Sequence, residues 1–516
     1  MKPTPEQQTI LREQGNCVVL AAPGSGKTYV LSQKIKGVLE DTRDYQGVIA
    51  ISFTNKASTE LKHRSLRGNT DRKASYFGTI DRFCFEEIVA SFGKQVFGYP
   101  TVPIQILEQK KLTGSDKMRW EQLADVWTCE ELTEEHIAFY RSLFIRGIVL
   151  LEHLGICANY ILSQSVACRR YLQARYTHIF IDEYQDSSIE QHRLFKRLVE
   201  LGLTGGAVGD LKQAIFGFAR KDSTYLDELW RESGFATHPL TINHRCHPSI
   251  SNYAKRFLDM VYVGLSPQYT DTDECRVFEK QVQGAESDVC EWLDRAIPEY
   301  VSRYAVAHLS EVGILVKSNK NGQFIEDNLS TPAQFLRSTP LDREVSLWGV
   351  LFKELLQFVL NEKRTAFEIA ERFLPPEQSQ FTFRKVVREL NKTRKLFQED
   401  ETDSSSYLNE ELRSQIINHF VQVAEMIFEG EKNQQAAKRL EEVLAEPSNL
   451  RLYGPIDTSK VQIMTIHKSK GLEFDLVFHL DLLEGALPYR NWYANTIQEQ
   501  YPSLGSDANL HFVAVT

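Results

Sequence analysis

Short, unbroken apolar runs recur along this chain, each stopping at a glycine or a cluster of polar residues and each separated from the next by residues of helical period. Cys17 to Ala21, Val48 to Phe53, His178 to Ile181 and Ala207 to Gly209 are such runs in the first half. Val312 to Val316, Val461 to Ile466 and Leu476 to Leu480 are their counterparts in the second. Runs without alternation fit strands buried on both faces, the environment of a parallel sheet. After the first run, Val30, Leu31, Ile35, Val38 and Leu39 share one helical face, and the next strand follows: a βαβ unit. A shorter helical pattern, from Pro5 to Leu11, precedes it. The expected fold class is α/β, with two parallel-sheet cores.

Two long stretches interrupt this rhythm. Roughly 90 residues after Cys84 are mostly of helical period without notable glycine punctuation, and read as an inserted helical subdomain. From about residue 345 to 450 the pattern is helical again, with Leu351-Phe352, Leu355-Leu356 and Val359-Leu360 on one face. The polar stretch Glu399 to Ser406 reads as a solvated loop within it. The division expected is therefore 1–85 with 169–245 as the first core, 86–168 as its insertion, 246–344 with 451–516 as the second core, and 345–450 as the second insertion.

A chain of 516 residues exceeds what one core supports, in keeping with several domains. No apolar run approaches the roughly 20 residues needed to cross a bilayer, and the residues after Met1 lack a signal peptide's apolar stretch, so the expectation is a cytoplasmic protein with no membrane partner. The eight cysteines include no C-x-x-C pair, which argues against a zinc or iron–sulfur site. A net charge of −9 argues against indiscriminate coating of nucleic acid while leaving room for a local basic groove.

The chemistry concentrates at the polar ends of the apolar runs. Ala22-Pro23-Gly24-Ser25-Gly26 follows the first run and leads into Lys27-Thr28-Tyr29, where a helix begins. Gly24 and Gly26 permit a tight loop whose N–H groups face inward, and the helix start adds positive potential: an anion cradle. Lys27 would reach the β- and γ-phosphates of a nucleotide and Thr28 would take one position on Mg²⁺. The strict phosphate-loop pattern asks for glycine where this chain has Ala21. Asp182 and Glu183, adjacent after an apolar strand, suit a Mg²⁺-linked carboxylate and one that polarises water; a helix-capping acidic pair is the blander reading. Gln7 carries an amide that could read an adenine edge, or is a surface glutamine. Phe216 and Phe218 fit a base-stacking platform or a core.

The order of these segments resembles the UvrD/Rep/PcrA branch of superfamily 1 helicases over essentially the whole chain. The resemblance is carried by Ala-x-x-Gly-Ser-Gly-Lys-Thr, Phe-Thr-Asn-Lys-Ala, Asp-Glu-Tyr-Gln-Asp-Ser, Val-Gly-Asp-x-x-Gln, Asn-x-Arg and Thr-Ile-His-Lys-Ser-Lys-Gly-Leu-Glu-Phe. In that family alanine opens the cradle, the cores are RecA-like (1A and 2A) and the insertions are 1B and 2B. The resemblance implies ATP and Mg²⁺ as cofactors, with Gln7 reading adenine, Lys27, Thr28, Asp182 and Glu183 holding and hydrolysing ATP, Gln213 sensing the γ-phosphate, Arg245 stabilising its charge and Glu473 lining the nucleotide side. Single-stranded DNA would meet Phe53, Thr54, Asn55, Thr79, Phe216, Phe218 and His467, with 3′-to-5′ polarity; Glu484-Gly485-Ala486-Leu487-Pro488 looks like the loop that follows. The chain departs from the family in His244, where a tyrosine usually stacks on adenine, in Asp81 for a histidine, and in Ala219 for an arginine.

The trimmed insertions resemble the helicase-like subunits of Gabija anti-phage defence systems, which implies an OLD-family ATP-binding nuclease as partner and single-stranded DNA or DNA ends as ligand. A free-standing 3′-to-5′ repair helicase and a non-catalytic scaffold for a nuclease are the alternatives. The final run, Phe512 to Val515, reads as a buried strand, with the arginine of the family's last motif expected next; on that expectation the chain binds ATP·Mg²⁺ and DNA but hydrolyses slowly.

Overall fold

The computed structural model describes residues 3–53, 55–68, 70–102, 104–213, 224–259, 270–344, 346–362, 364–374, 380–398, 409–428, 433–483, 486–490, 500 and 503–516. In chain order its strands are β1 (Cys17–Ala21), β2 (Gly47–Ile51), β3 (Tyr76–Gly78), β4 (Gln105–Leu107), β5 (Ile148–Leu150), β6 (Tyr176–Ile181), β7 (Thr204–Gly209), β8 (Ala236–Leu240), β9 (Val312–Val316), β10 (Ala333–Phe335), β11 (Val461–Thr465) and β12 (Leu476–His479). The first sheet has the order β3-β2-β6-β7-β1-β8 and the second β10-β11-β9-β12. Every pairing in both is parallel. The fold is mixed α/β with parallel sheets.

Consecutive residues along a strand point to opposite faces, so each sheet feeds two cores. In the first, Val18, Ile49 and Ile179 join one apolar cluster, while Val19, Val48 and Phe180 join the other. The first cluster runs on without a break into the inserted helices through Phe139, Leu143 and Leu154. In the second sheet Ile314 and Ile463 face one way, and Leu315 and Met464 face the other. The helices Leu347–Leu360, Ala366–Phe373, Gln380–Gln398, Glu410–Ile427 and Gln434–Ala445 supply a separate core around Leu351, Phe352 and Phe420.

Two expectations need correction. Phe512 to Val515 is not a strand: it ends the helix Leu504–Val515. Taken over a longer window the pattern is plain, since Asp507, Leu510, His511 and Ala514 are buried at helical spacing, and Leu510 and Ala514 cover Leu315 and Met464. The first insertion is also less uniformly helical than its period suggests. β4 and β5 form a two-stranded parallel pair there, and Gly98, Gly114 and Gly147 punctuate it. Thr54, Phe216, Phe218, Ala219, Glu484, Gly485 and the polar stretch 399–406 lie outside the described residues.

Candidate functional site

In the first sheet β6, β7, β1 and β8 are consecutive neighbours, so whatever follows their carboxyl ends is gathered along one edge. Asp182 follows β6, Asp210 follows β7, the glycine loop follows β1, and Asn243 with Arg245 follows β8. The loop hands over to α2 (Lys27–Asp41) at Gly26. Gly24 and Gly26 have φ of +67° and +84°, and a Cβ on Gly24 would come within 2.8 Å of both Arg245 Cβ and Asn243 Oδ1. A Cβ on Gly26 would sit 3.0 Å from Gln7 Nε2. Glycine is thus required twice over, by backbone conformation and by close approach.

Lys27 Nζ donates to Gln213 Oε1 at 3.4 Å and lies 3.7 Å from Glu183 Oε1. Burial is the largest influence on this ammonium and favours its neutral form, yet Glu183, Asp210 and Asp182 together outweigh it and hold its pKa above the usual lysine value. Asp182, 5% exposed, is pushed up by burial and then by Glu183, against the pull of Lys27. For Glu183 burial also acts upward, but Lys27 and Lys470 override it and its pKa is held down. Glu183 adopts a left-handed backbone at φ 55°, a strained conformation for a residue with a Cβ, and accepts from Gln185 Nε2 at 2.5 Å. Gln185 in turn accepts from the Asp210 N–H at 3.0 Å, joining two strand ends.

This donor set fits a nucleotide with a divalent cation. Two glycines leave the cradle open, the buried Ser25 hydroxyl has no hydrogen-bond partner among the described residues, and a carboxylate pair faced by Lys27 is short of positive charge. Thr28 and Tyr29 are half-buried at the start of α2. Ala22 N–H donates to Leu240 C=O at 2.8 Å, and Pro23 C=O accepts from Asn243 Nδ2 at 2.9 Å, so loop and β8 are tied together.

Other expected site residues fall into two groups. Gln7, on α1 (Pro5–Arg12), is buried beside the cradle: its Nε2 donates to Ser25 C=O at 3.2 Å and its Oε1 accepts from the Thr4 N–H at 3.0 Å. His244 is exposed next to the loop, its N–H donating to Gly24 C=O at 2.9 Å. Arg245 pairs with Glu473 Oε1 of the second half at 2.5 Å. The others sit on other elements. Phe53 is half-buried beyond β2, Asn55 opens the helix Asn55–Ser65, and Thr79 sits at the N-cap of Ile80–Phe83. His467 borders a cavity of about 610 Å³ with Lys317, Ser338, Thr465 and Lys468.

Sequence reasoning gave no role to three contacts that shape the site. Asn243 Oδ1 accepts from the N–H groups of Arg245 and Cys246, both at 2.8 Å, so this one side chain fixes the Arg245 turn to the cradle. Glu6 accepts from Thr241 N–H at 3.0 Å and Thr241 Oγ1 at 2.7 Å, pinning α1 to the same turn. Lys470 reaches from the second half to Asp186 and to Gln213 C=O. The Asn-x-Arg spacing was the available signal for the first; the other two join residues too far apart in sequence to leave one.

A nucleotide-type cradle at a parallel sheet's edge, with an arginine and a second sheet beside it, has the plan of a helicase motor, and comparison with known proteins agrees. The description UvrD/REP helicase N-terminal domain matches residues 3–138 and 105–232, and UvrD-like helicase C-terminal domain matches residues 352–516. The chain belongs to the UvrD-like helicase family, whose members are DNA helicases that use ATP with a divalent metal. Among its relatives is the Gabija protein GajB of Bacillus cereus (strain VD045), 25% identical over 541 residues that span 99% of this chain and 92% of that one. DNA helicase II of Salmonella typhimurium is 23% identical over 585 residues, 94% of this chain and 79% of that one. The ATP-dependent DNA helicase Rep of Escherichia coli is 28% identical over 245 residues, 41% and 36% of the two chains. Among the described residues no helix is long and apolar enough to cross a membrane.

Proposed function

We propose that this chain is an ATP-driven motor or sensor on single-stranded DNA, with 3′-to-5′ polarity, and that it serves as the helicase-like subunit of an anti-phage defence complex with an OLD-family ATP-binding nuclease. The observation that carries the ATPase part is the approach of Gln213 Oε1 and Glu183 Oε1 to Lys27 Nζ, at 3.4 and 3.7 Å, beside an open glycine cradle. Similarity to a Gabija protein over 99% of the chain supports the defence part. The division into two cores with insertions at 86–168 and 345–450 belongs to the same reading.

In this reading Lys27 and the loop N–H groups hold the phosphates, and Thr28 and Asp182 would hold Mg²⁺, which supplies charge neutralisation between phosphates. Glu183, kept ionised by Lys27 and Lys470, accepts the proton of the attacking water. Gln213 reports on the phosphate end through Lys27, and Arg245 faces the developing charge. Gln7, His244 and Glu473 flank the base and sugar, while Phe53, Thr54, Asn55, Thr79, Phe216, Phe218 and His467 line the DNA path.

Purified Lys27→Ala should keep the fold and lose ATP turnover, whereas Glu183→Gln should bind ATP and stall. Turnover at the parent rate in either folded variant would remove the catalytic assignment. Co-expression with a nuclease encoded beside it should give a joint peak in size-exclusion chromatography; separate elution at micromolar concentration would refute the partnership.

A further inference from the structure

Charge is unevenly distributed along this chain, and two segments far apart in sequence hold opposite extremes of it. From Arg384 to Lys395, twelve residues carry six basic side chains and one acidic one. From Glu121 to Glu135, fifteen residues carry six carboxylates and no lysine or arginine.

The basic segment belongs to the helix Gln380–Gln398, and the helical period sorts its side chains. Val386 and Leu390 are buried in the core around Phe352 and Phe420. Arg394 also turns inward: its Nη2 donates to Phe358 C=O and Arg364 C=O, both at 2.6 Å, and its guanidinium lies over the Phe358 ring. The other five cations, Arg384, Lys385, Arg388, Lys392 and Lys395, are exposed at helical spacing and form one stripe of about 17 Å. Phe381, 78% exposed, heads it one turn before Arg384. Arg388 and Lys392 pair with Glu389 of the same helix, and Arg384, Lys385 and Lys395 have no ion pair among the described residues.

In the acidic segment two carboxylates are committed within the fold. Glu130 is held by Arg193 and Arg197, and Glu131 accepts from the Trp127 N–H at 2.7 Å. Glu121, Asp125, Glu134 and Glu135 are exposed, and the Trp127 side chain between them in sequence is 47% exposed. Glu121 lies 3.8 Å from the exposed Lys117, while Asp125, Glu134 and Glu135 have no ion pair among the described residues.

We propose that the basic stripe of one copy of this chain docks on the acidic segment of a second copy. Charge complementarity carries the proposal. Each side offers a row of uncompensated charge and one exposed aromatic ring, Phe381 on one and Trp127 on the other, and protein–protein contacts combine aromatic centres with polar rims in this way. A nucleic-acid backbone would cover the stripe alone and leave the acidic segment, which repels it, without a partner. A contact of about 17 Å of helix is smaller than a standard stable interface, so the association is weak, reversible and screened by salt. Related by a two-fold axis, two copies make the contact twice; a rotation that does not close gives an open series.

The test uses the full chain, freed of nucleic acid, and reads its mass by sedimentation over a range of micromolar concentrations. At about 0.05 M salt the parent should exceed the monomer's mass as concentration rises, and at about 0.5 M it should return to it. Arg384→Glu/Lys385→Glu/Arg388→Glu and Asp125→Lys/Glu134→Lys/Glu135→Lys should each weaken association by about tenfold or more at low salt. The chain carrying all six substitutions should regain it, because the charges are exchanged and the pairing is kept. Thermal midpoints show which variants are folded; where a triple variant is not, Lys385→Glu, Glu135→Lys and their combination make the same comparison. A parent that stays monomeric at low salt overturns the proposal. So does association that either reversal leaves unchanged, or that the combined reversal fails to restore in a folded chain. If the parent is monomeric and the stripe variant loses affinity for a DNA duplex, the stripe belongs to nucleic acid instead.

Discussion

Asn243→Ala removes no atom from the nucleotide pocket and should still slow it. The side chain makes three hydrogen bonds, donating to Pro23 C=O at 2.9 Å and accepting from the N–H groups of Arg245 and Cys246 at 2.8 Å each. At about 0.5–1.5 kcal/mol net apiece, and toward the low end because the residue is half-exposed, their loss costs about 2 kcal/mol of local order. That is too little to unfold a chain with several cores, but enough to free the turn that carries Arg245. A shift of about 1 Å in a charge-stabilising group costs on the order of 10²-fold in rate, so kcat should fall by about 10- to 100-fold with a smaller change in the KM for ATP. Asn243→Asp is the matching control: it keeps both acceptor functions but sets a carboxylate against Pro23 C=O, and should fall between parent and alanine. The assay is steady-state ATP hydrolysis with saturating oligonucleotide, alongside the thermal unfolding midpoint. A kcat within about threefold of the parent in folded Asn243→Ala would show that the turn holds its place by other means, and the positioning argument would be wrong.

Gly24→Ala should be worse than any loop truncation, because the new Cβ meets Arg245 Cβ and Asn243 Oδ1 at 2.8 Å in a backbone conformation already hostile to alanine; nucleotide binding by calorimetry should be lost, and parent-like affinity would contradict the geometry. Glu190, 5% exposed, has its carboxyl raised from 4.5 to about 7, chiefly by burial and against the hydrogen bond from Asn159. The folded chain therefore binds a proton that the unfolded chain has released, and stability falls as pH rises from about 4.5 to about 7. Glu190→Gln removes that dependence: denaturant unfolding should show a gain on the order of 3 kcal/mol at pH 8, reduced by the lost 3.8 Å pairing with Arg193, and almost none at pH 4. An equal gain at both values would mean that ionisation is not the cause.

The strands of both sheets were legible because burial on two faces leaves unbroken aliphatic runs, as at Val312 to Val316, and because glycine and carboxylates mark where they stop. Their order was not, since nothing local says that β1 lies between β7 and β8. The short edge strands β3 and β10 have too few residues to show a period. Phe512 to Val515 misled for the opposite reason. Read alone it is a strand, and only the buried Asp507, held by Lys317 at 2.8 Å, restores the helical spacing. An aspartate in an apolar stripe hides the stripe. At the candidate site, Lys27, Asp182 and Glu183 announced themselves through neighbours in sequence. The ties made by Glu6 and Lys470 depend on sheet topology, and appear only once distant strand ends are brought together.

The position of β1 within its sheet also sets a schedule for the protein's synthesis. It leaves the ribosome before the other described strands, yet its partners among them, β7 and β8, begin at Thr204 and Ala236. At translation rates of about 5–20 residues per second, the strand that bears the cradle waits on the order of 10–40 s for a neighbour on either side. During that interval its apolar residues have no sheet to enter, which makes the early nascent chain a client for a holding chaperone. The consequence is measurable on stalled ribosomes: nascent chains halted before β8 has emerged should bind trigger-type chaperones and no ATP analogue, and those halted well beyond it should reverse both. Nucleotide binding by a chain that stops short of β7 would show that the cradle forms without its neighbours.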